Sequence, residues 1–455
     1  MNSNHDNGKG FLGGWKGLIE LIPNNTEAIL GAFSSLRSRN YRLYFYGQWI
    51  SLIGTFIQQI ALSWLVYRLT GSVILLASVT LAAQLPSFFL TPVTGVLIDR
   101  FDRYKLLVVT QSMYMLQATI LAALVLTNHI QVWHIMTLSL FVGIISAFDM
   151  PARHSFTVQL VDRKEDLSNA IALNSAIFNA ARLIGPSIGG ILIGIIGEGL
   201  CFSINAISYI AVLASFFRMS ITPLVKKISH KSVVQEMNEG ISYAVNSLTI
   251  RSILIMVTVI SFFGFSLLVI LPAFAKDTLG GNSDTLGYMM SSIGAGALVA
   301  ALYLAARKSV IGLGKVIMIS TFILGAATVI LAFTQISGIA YLVCFPIGFS
   351  FIASVASLNT QLQTISDERM RGRVMSFYTM ALMGTSPIGG MLLGVLEKWI
   401  GIPYVILMNG VICILAAFIY EKRRPLLRKH MRRIYVEKGI IPEIATGIES
   451  VNGKN

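Results

Sequence analysis

Two stretches hold the residues able to do chemistry. The segment GVLIDRFDRYK, residues 95–105, packs Asp99, Arg100, Asp102, Arg103 and Lys105 into eleven positions of a chain that is only 12% charged. The segment NAARLIGPSIGG, residues 179–190, carries one lone cation, Arg182, inside an apolar run. A short turn with charges of both signs can latch onto another element. Asp99 suits the positive N-terminal end of a neighbouring helix. Arg100, Arg103 and Lys105 suit anionic headgroups or nearby acids, for which Asp149 and Asp162 are the candidates. Such a latch closes in one conformation and parts in another; the plainer alternative is a charged turn that only sets topology. Arg182 suggests recognition of an anionic or carbonyl-rich molecule. Its alternative is a structural guanidinium satisfied by Asn179 and by carbonyls freed at Pro186. No paired His/Asp or Ser/His constellation lies inside the apolar runs, and no G-x-x-x-x-G-K-[ST] phosphate loop is present. Cys201, Cys344 and Cys413 fall singly in apolar runs, without metal spacing. The reading is a non-enzyme without cofactor.

The elements that position these residues are membrane helices. The chain has 455 residues, 55% of them hydrophobic, with a mean hydropathy of +0.72. Continuous apolar runs of about 20 residues span a bilayer as helices, because every backbone polar group needs a partner there. Twelve runs qualify: 43–67, 73–98, 106–127, 132–150, 168–196, 199–218, 252–275, 285–306, 315–334, 337–360, 373–396 and 401–420. The expected fold is all-α, twelve transmembrane helices in two six-helix halves. Residues 1–40 form an N-terminal arm, 41–218 the first half, 219–251 a polar linker, 252–420 the second half and 421–455 a basic tail. Of 35 Lys and Arg, 31 fall on alternate loops, the linker and the termini; Arg68, Lys276 and Lys398 fall opposite, and Arg182 is the remaining one. The excess of positive charge on the cytoplasmic side of membrane proteins puts both termini in the cytoplasm. It also explains the net charge of +14 without nucleic acid.

Polar residues at helical spacing mark a cavity. Span one carries Gln48, Ser51, Thr55 and Gln58 or Gln59, with Trp49 alongside; span two carries Thr80, Gln84, Ser87, Thr91 and Thr94. Gln48, Trp49, Gln59, Gln84, Asn179 and Arg182 are the candidate substrate-binding residues, and glue between helices is the alternative for the small hydroxyls. Arg182 lies about 14 residues into span five, about 21 Å along it. No acid lies deep in a span on these boundaries, so a proton carrier, if one operates, is Asp99 or Asp149 at a span end. Gly185, Pro186, Gly189 and Gly190 kink span five and allow it close contact with a helix of the other half, with GAGA (294–297) of span eight as the partner surface.

GVLIDRFDRYK resembles the signature loop of the major facilitator superfamily, roughly G-x-x-x-D-R-x-G-R-R/K, with Gly95, Asp99, Arg100, Arg103 and Lys105 at matching positions. Asp102 replaces the second glycine and is expected to keep the left-handed turn. The second-half counterpart, ALYLAARKSVIGLGK (301–315), keeps Arg307 and Lys308 and lacks the Asp. Gly185, Pro186, Gly189 and Gly190 match the G-P-x-x-G-G motif of the exporter branches. RNYRLYFYGQ (39–48), DMPARHSF (149–156) and NAARLIGP resemble a bacterial exporter group that includes macrolide-efflux pumps and the enterobactin exporter. The resemblance implies a secondary transporter of the bacterial inner membrane, a monomer in the lipid bilayer, that exports small amphipathic molecules of drug or siderophore type by proton antiport. The alternative is an importer or lysophospholipid flippase of the same fold.

Overall fold

The computed structural model describes residues 34–98, 101–221, 233–307 and 309–437. Every regular element among them is helical. The first half contains α1 (Arg39–Thr70), α2 (Val73–Ile98), α3 (Arg103–Leu126), α4 (Val132–Leu160) and α5 (Leu167–Phe217). A linker helix, α6 (Val233–Asn246), follows. Next, α7 (Leu248–Val259) and α8 (Leu267–Ala273) are joined by the π-helical turn Ile260–Phe265 and closed by a second, Phe274–Thr278. Then come α9 (Ser283–Ala305), α10 (Leu313–Ala332), α11 (Ser337–Ile365), α12 (Glu368–Thr379), α13 (Thr385–Ile400) and α14 (Ile402–Glu437). The π turn Met380–Gly384 joins α12 to α13.

Among the described residues, eleven stretches are long and apolar enough to cross a membrane, against twelve expected. The difference is Asn169–Phe217, 49 residues counted as one. Straight, it would run about 73 Å, more than twice the hydrocarbon thickness of a bilayer. It is not straight: Gly197 leaves helical geometry at φ 78, ψ 169. The neighbours on α1 show the reversal. Gly185 sits against Phe56 and Gly189 against Ile57, whereas Gly54 meets Asn205 and Ser208, and Gly47 meets Val212 and Ser215. The arm before Gly197 therefore runs parallel to α1, and the arm after it runs antiparallel.

The same device recurs in the second half. Gly401, between α13 and α14, has φ 81 and ψ 160. Gly71 after α1 and Gly280 after the Phe274–Thr278 turn, with φ 58 and 62, form a second matched pair. All four glycines lie at the end poor in Lys and Arg, here termed outer. The halves meet through α5 with α9 and α2 with α13, and α8 also touches α1 and α2. At the other end the first half keeps its own aromatic core of Tyr41, Tyr44, Phe156 and Phe216 with Leu107 and Leu160.

Three boundaries differ from the expected ones. Helix α4 runs ten residues past 150 to Leu160, straight through Pro151. The linker 219–251 contains α6 and the start of α7, and residues 222–232 lie outside the described part. The basic tail is not simply solvated: α14 continues to Glu437, and Leu427, Met431 and Tyr435 are buried.

Candidate functional site

The extension of α4 reshapes the site. Asp149 was expected at a span end, but it lies eleven residues before Leu160, about 16 Å along the axis. It is 5% exposed. Its Oδ1 accepts from Thr110 Oγ1 and Gln111 Nε2, both at 2.8 Å. Its Oδ2 accepts from Arg153 Nε at 3.1 Å and Nη2 at 2.6 Å. Arg153 Nη1 donates onward to Gln48 Oε1 on α1. One carboxylate thus ties α3, α4 and α1 together through four charge-assisted or neutral donors. Buried Gln48 Nε2 and Gln111 Oε1 remain without a partner among the described residues. The stacked rings of Tyr114 and Tyr209, 5.8 Å apart, join α3 to the second arm of α5.

Asp149 is therefore not a partner of the charged loop. Arg103 reaches Ser155 O at 3.4 Å instead, and the Asp162 N–H donates to Ser38 Oγ at 3.0 Å. Asp102 does not adopt the left-handed backbone expected of it. At φ −71, ψ 113 it caps α3, accepting from the N–H groups of Tyr104 at 2.9 Å and Lys105 at 3.3 Å. An Asp at this position satisfies helix-end donors that a Gly would leave to water. Lys105 is exposed. Gly95 lies in α2. Asp99 and Arg100, with the expected contact of Asp99 to a helix N-terminus, lie outside the described residues.

Arg182 sits midway along the first arm of α5, fifteen residues from Leu167 and fifteen from Gly197, about 22 Å each way. It lines a small cavity at the seam together with Phe265, Leu268, Ile293, Ile347, Gly348 and Phe351 of the second half. It has no hydrogen-bond or ion-pair partner among the described residues. Neither Asn179 nor a carbonyl freed at Pro186 pairs with it among the described residues. Asn179 Nδ2 donates to Ser175 O at 2.8 Å, and the backbone stays helical through Pro186, leaving helical geometry only at Gly197. The kink expected at Pro186 is thus a turn eleven residues later.

The glycine motif divides its tasks. Gly185 and Gly189 face α1, within the same half. Gly190 faces the other half: a Cβ built there would lie 2.6 Å from Gly287 Cα on α9. The seam continues where a Cβ on Gly294 would lie 2.9 Å from Leu183 Cα and 3.1 Å from Arg182 O. Of the GAGA surface, Gly294 meets α5 while Gly296 faces Phe345 on α11. A second seam runs where a Cβ on Gly394 of α13 would meet Ile74 N at 2.7 Å. Above both, Tyr67 donates to Asp277 across the halves, Lys276 Nζ lies 5.6 Å from the Tyr67 ring centroid, and Arg68 pairs with Glu198 at 2.7 Å.

Among the remaining expected residues, Gln59 is exposed and Gln84 and Trp49 are half-buried. Gln58 is structural: its Nε2 donates to Gln117 Oε1 at 3.1 Å and its Oε1 accepts from Asn205 at 2.8 Å. Sequence reasoning missed Arg153, Thr110 and Gln111. The signal for Arg153 is the i, i+4 spacing from Asp149 in DMPAR, which the expected span end at 150 leaves outside the helix. On the basic face the linker helix docks through Arg373 to Glu239 at 2.5 Å and Tyr243 to Asp367 at 3.0 Å. Burial raises the Tyr243 phenol above its ordinary value, which keeps it a donor to that carboxylate.

A family model described as "Transmembrane secretion effector" matches residues 30–434. The chain is 26% identical over 391 residues to the staphyloferrin A transporter of Staphylococcus aureus, covering 84% of this chain and 96% of that one. It is 24% identical over 396 residues to macrolide efflux protein A of Streptococcus pyogenes, with the same two coverages, 84% and 96%. It is 23% identical over 363 residues to the multidrug efflux pump Tap of Mycolicibacterium fortuitum, covering 77% and 87%. In fold it is similar to a POT family transporter solved with 5-aminolevulinic acid, with a TM-score of 0.68 at 13% identity over 86% of this chain and 97% of that one. A bacterial homolog of the human lysosomal transporter Spinster, solved inward-facing and unoccupied, gives 0.63 at 11% identity over 84% and 96%. With helices, seams and sequence in agreement over nearly its whole length, the chain belongs to the transmembrane secretion effector family of major facilitator superfamily transporters.

Proposed function

We propose that this transporter exports small amphipathic molecules carrying an anionic or carbonyl-rich group, by alternating access coupled to proton entry. The observation that carries the reading is Arg182, a cation midway along its helix, on the seam between halves and without a hydrogen-bond or ion-pair partner among the described residues. A charge held in that position is costly unless something pairs with it. A substrate anion supplies the pair, and its arrival joins two surfaces that belong to different halves. In this proposal the glycine seams and the Tyr67–Asp277 bond hold the outer end together while substrate enters from the basic face.

Asp149 is the proton acceptor in this proposal. Protonation neutralises the carboxylate that holds Arg153, and Arg153 holds Gln48 on α1. Proton uptake thereby loosens α1, which also carries Trp49, Gln59 and the outer-end residue Tyr67. The names of the relatives, a siderophore transporter and macrolide and multidrug efflux proteins, support a bulky polar-apolar substrate.

The test is uptake into inverted membrane vesicles from a panel of drugs and iron chelators. Transport is expected to require an imposed pH gradient and to vanish in Arg182→Ala at unchanged membrane abundance. Unaltered uptake in that variant rejects the recognition role. Persistence of uptake after collapse of the gradient rejects antiport, and uptake only by right-side-out vesicles rejects export.

A further inference from the structure

On the basic face, away from the pathway, a cavity of about 1090 Å³ opens between the α9–α10 connection, the end of α11 and the extension of α14. Five cations line it: Lys315, Arg424, Arg428, Lys429 and Arg432. Arg424, Arg428 and Arg432 recur every four residues and so share one face of α14. Arg424 is paired with Glu421 at 2.8 Å, while the other four have no ion-pair partner among the described residues. The lining is otherwise apolar, from Val310, Ile311, Pro425 and Met431. Gln361, 2% exposed, and Tyr435, 8% exposed, also line it. Gln361 Oε1 and the Tyr435 hydroxyl have no hydrogen-bond partner among the described residues. A buried phenol without an acceptor is a donor waiting for one.

We infer that this cavity binds an anionic phospholipid, with the phosphate among Arg428, Lys429, Arg432 and Tyr435 and the glycerol and first methylenes against the apolar wall. A free phosphate would meet the cations but gain nothing from that wall. An amphiphile with a phosphate head uses both, and basic pockets between helices at the membrane surface take such headgroups. The site lies where α14 leaves its apolar stretch and becomes basic, which is the depth of a lipid phosphate. It also explains why the basic extension stays helical: Leu427, Met431 and Tyr435 anchor it by burial, and the bound headgroup neutralises the cations stacked beside them. The lipid would thereby pin α14 to α10 and α11 without touching the transport pathway.

The experiment uses the full-length chain, purified in detergent and incubated with equal amounts of phosphatidylglycerol and phosphatidylcholine, with bound lipid read by native mass spectrometry. Phosphatidylglycerol is expected to be retained over phosphatidylcholine by about tenfold or more. Arg428→Gln/Lys429→Gln/Arg432→Gln is expected to lose that preference. Gly314→Leu, which places a side chain in the cavity and leaves the charge unchanged, is expected to lose it as well. Lys422→Gln/Arg423→Gln, on the same helix outside the cavity, is expected to keep it. Inorganic phosphate in large excess is expected to leave the lipid bound. Equal retention of the two lipids overturns the proposal. So does loss of the preference in the Lys422/Arg423 variant, its retention in Gly314→Leu, or displacement by inorganic phosphate.

Discussion

Asp149 and Arg153 illustrate how a charge pair inside a membrane helix must be judged. Each is tolerated because the other is there, and Thr110, Gln111 and Gln48 take up most of the remaining hydrogen-bonding capacity. Removing one partner strands the other, a loss of about 3–5 kcal/mol for buried pairs. Asp149→Ala is therefore expected to lower thermal stability sharply. Asp149→Ala/Arg153→Met is expected to recover much of it, because no charge remains uncompensated. Thermal unfolding of the purified variants checks this, and a double variant less stable than either single one contradicts the pairing. Asp149→Asn keeps an acceptor for Thr110 and is expected to be milder in stability while still abolishing a pH-driven step. Asp149 was visible in the sequence as an isolated acid. Its partner was not, because a proline between them reads as a helix end, whereas here α4 continues through it in the helical core.

Among the helices, the glycines set the geometry. Gly197 and Gly401 have backbone angles that only glycine adopts without strain, and each reverses the chain between two spans. Gly197→Ala is expected to cost about 1–3 kcal/mol through backbone strain alone, since a Cβ there meets no neighbour. A loss within that range, measured by unfolding, separates strain from a clash. Gly190→Leu acts differently, because its side chain would enter the backbone of α9 at Gly287. That variant is expected to fold but to hold the outer ends apart, so that Tyr288→Cys placed beside the seam labels faster with an impermeant maleimide. Labelling no faster than in the parent would show that α5 and α9 close by another route. The pairing of span five with span eight was legible from the small residues on both. Which glycine of the motif faces the partner was not, since the motif places Gly185 and Gly189 toward α1 and Gly190 toward α9.

For the protein as a whole, opening and closing in the proposed cycle would turn on the bonds that cross between halves. Tyr67 to Asp277 is one, at the outer end, joining the last turn of α1 to the end of the seventh span. Tyr67→Phe removes the hydroxyl and keeps the ring under Lys276, so it is expected to shift the population toward the outward-open form with little change in stability. Impermeant maleimide should then label Trp64→Cys several-fold faster than in the parent. The three native cysteines, all buried, contribute little background. Labelling at the parental rate would show that the glycine seams alone hold the outer end. The all-helical membrane fold and its two halves follow from composition and pattern alone, because a bilayer permits few backbone solutions. Only the tertiary structure decided that Arg182 lacks a partner among the described residues, that Asp149 belongs with Arg153 and Gln48, and that the tail closes a cavity with α10 and α11. Those facts depend on which side chains face one another across helices distant in sequence, and hydropathy along one helix carries no information about its neighbour.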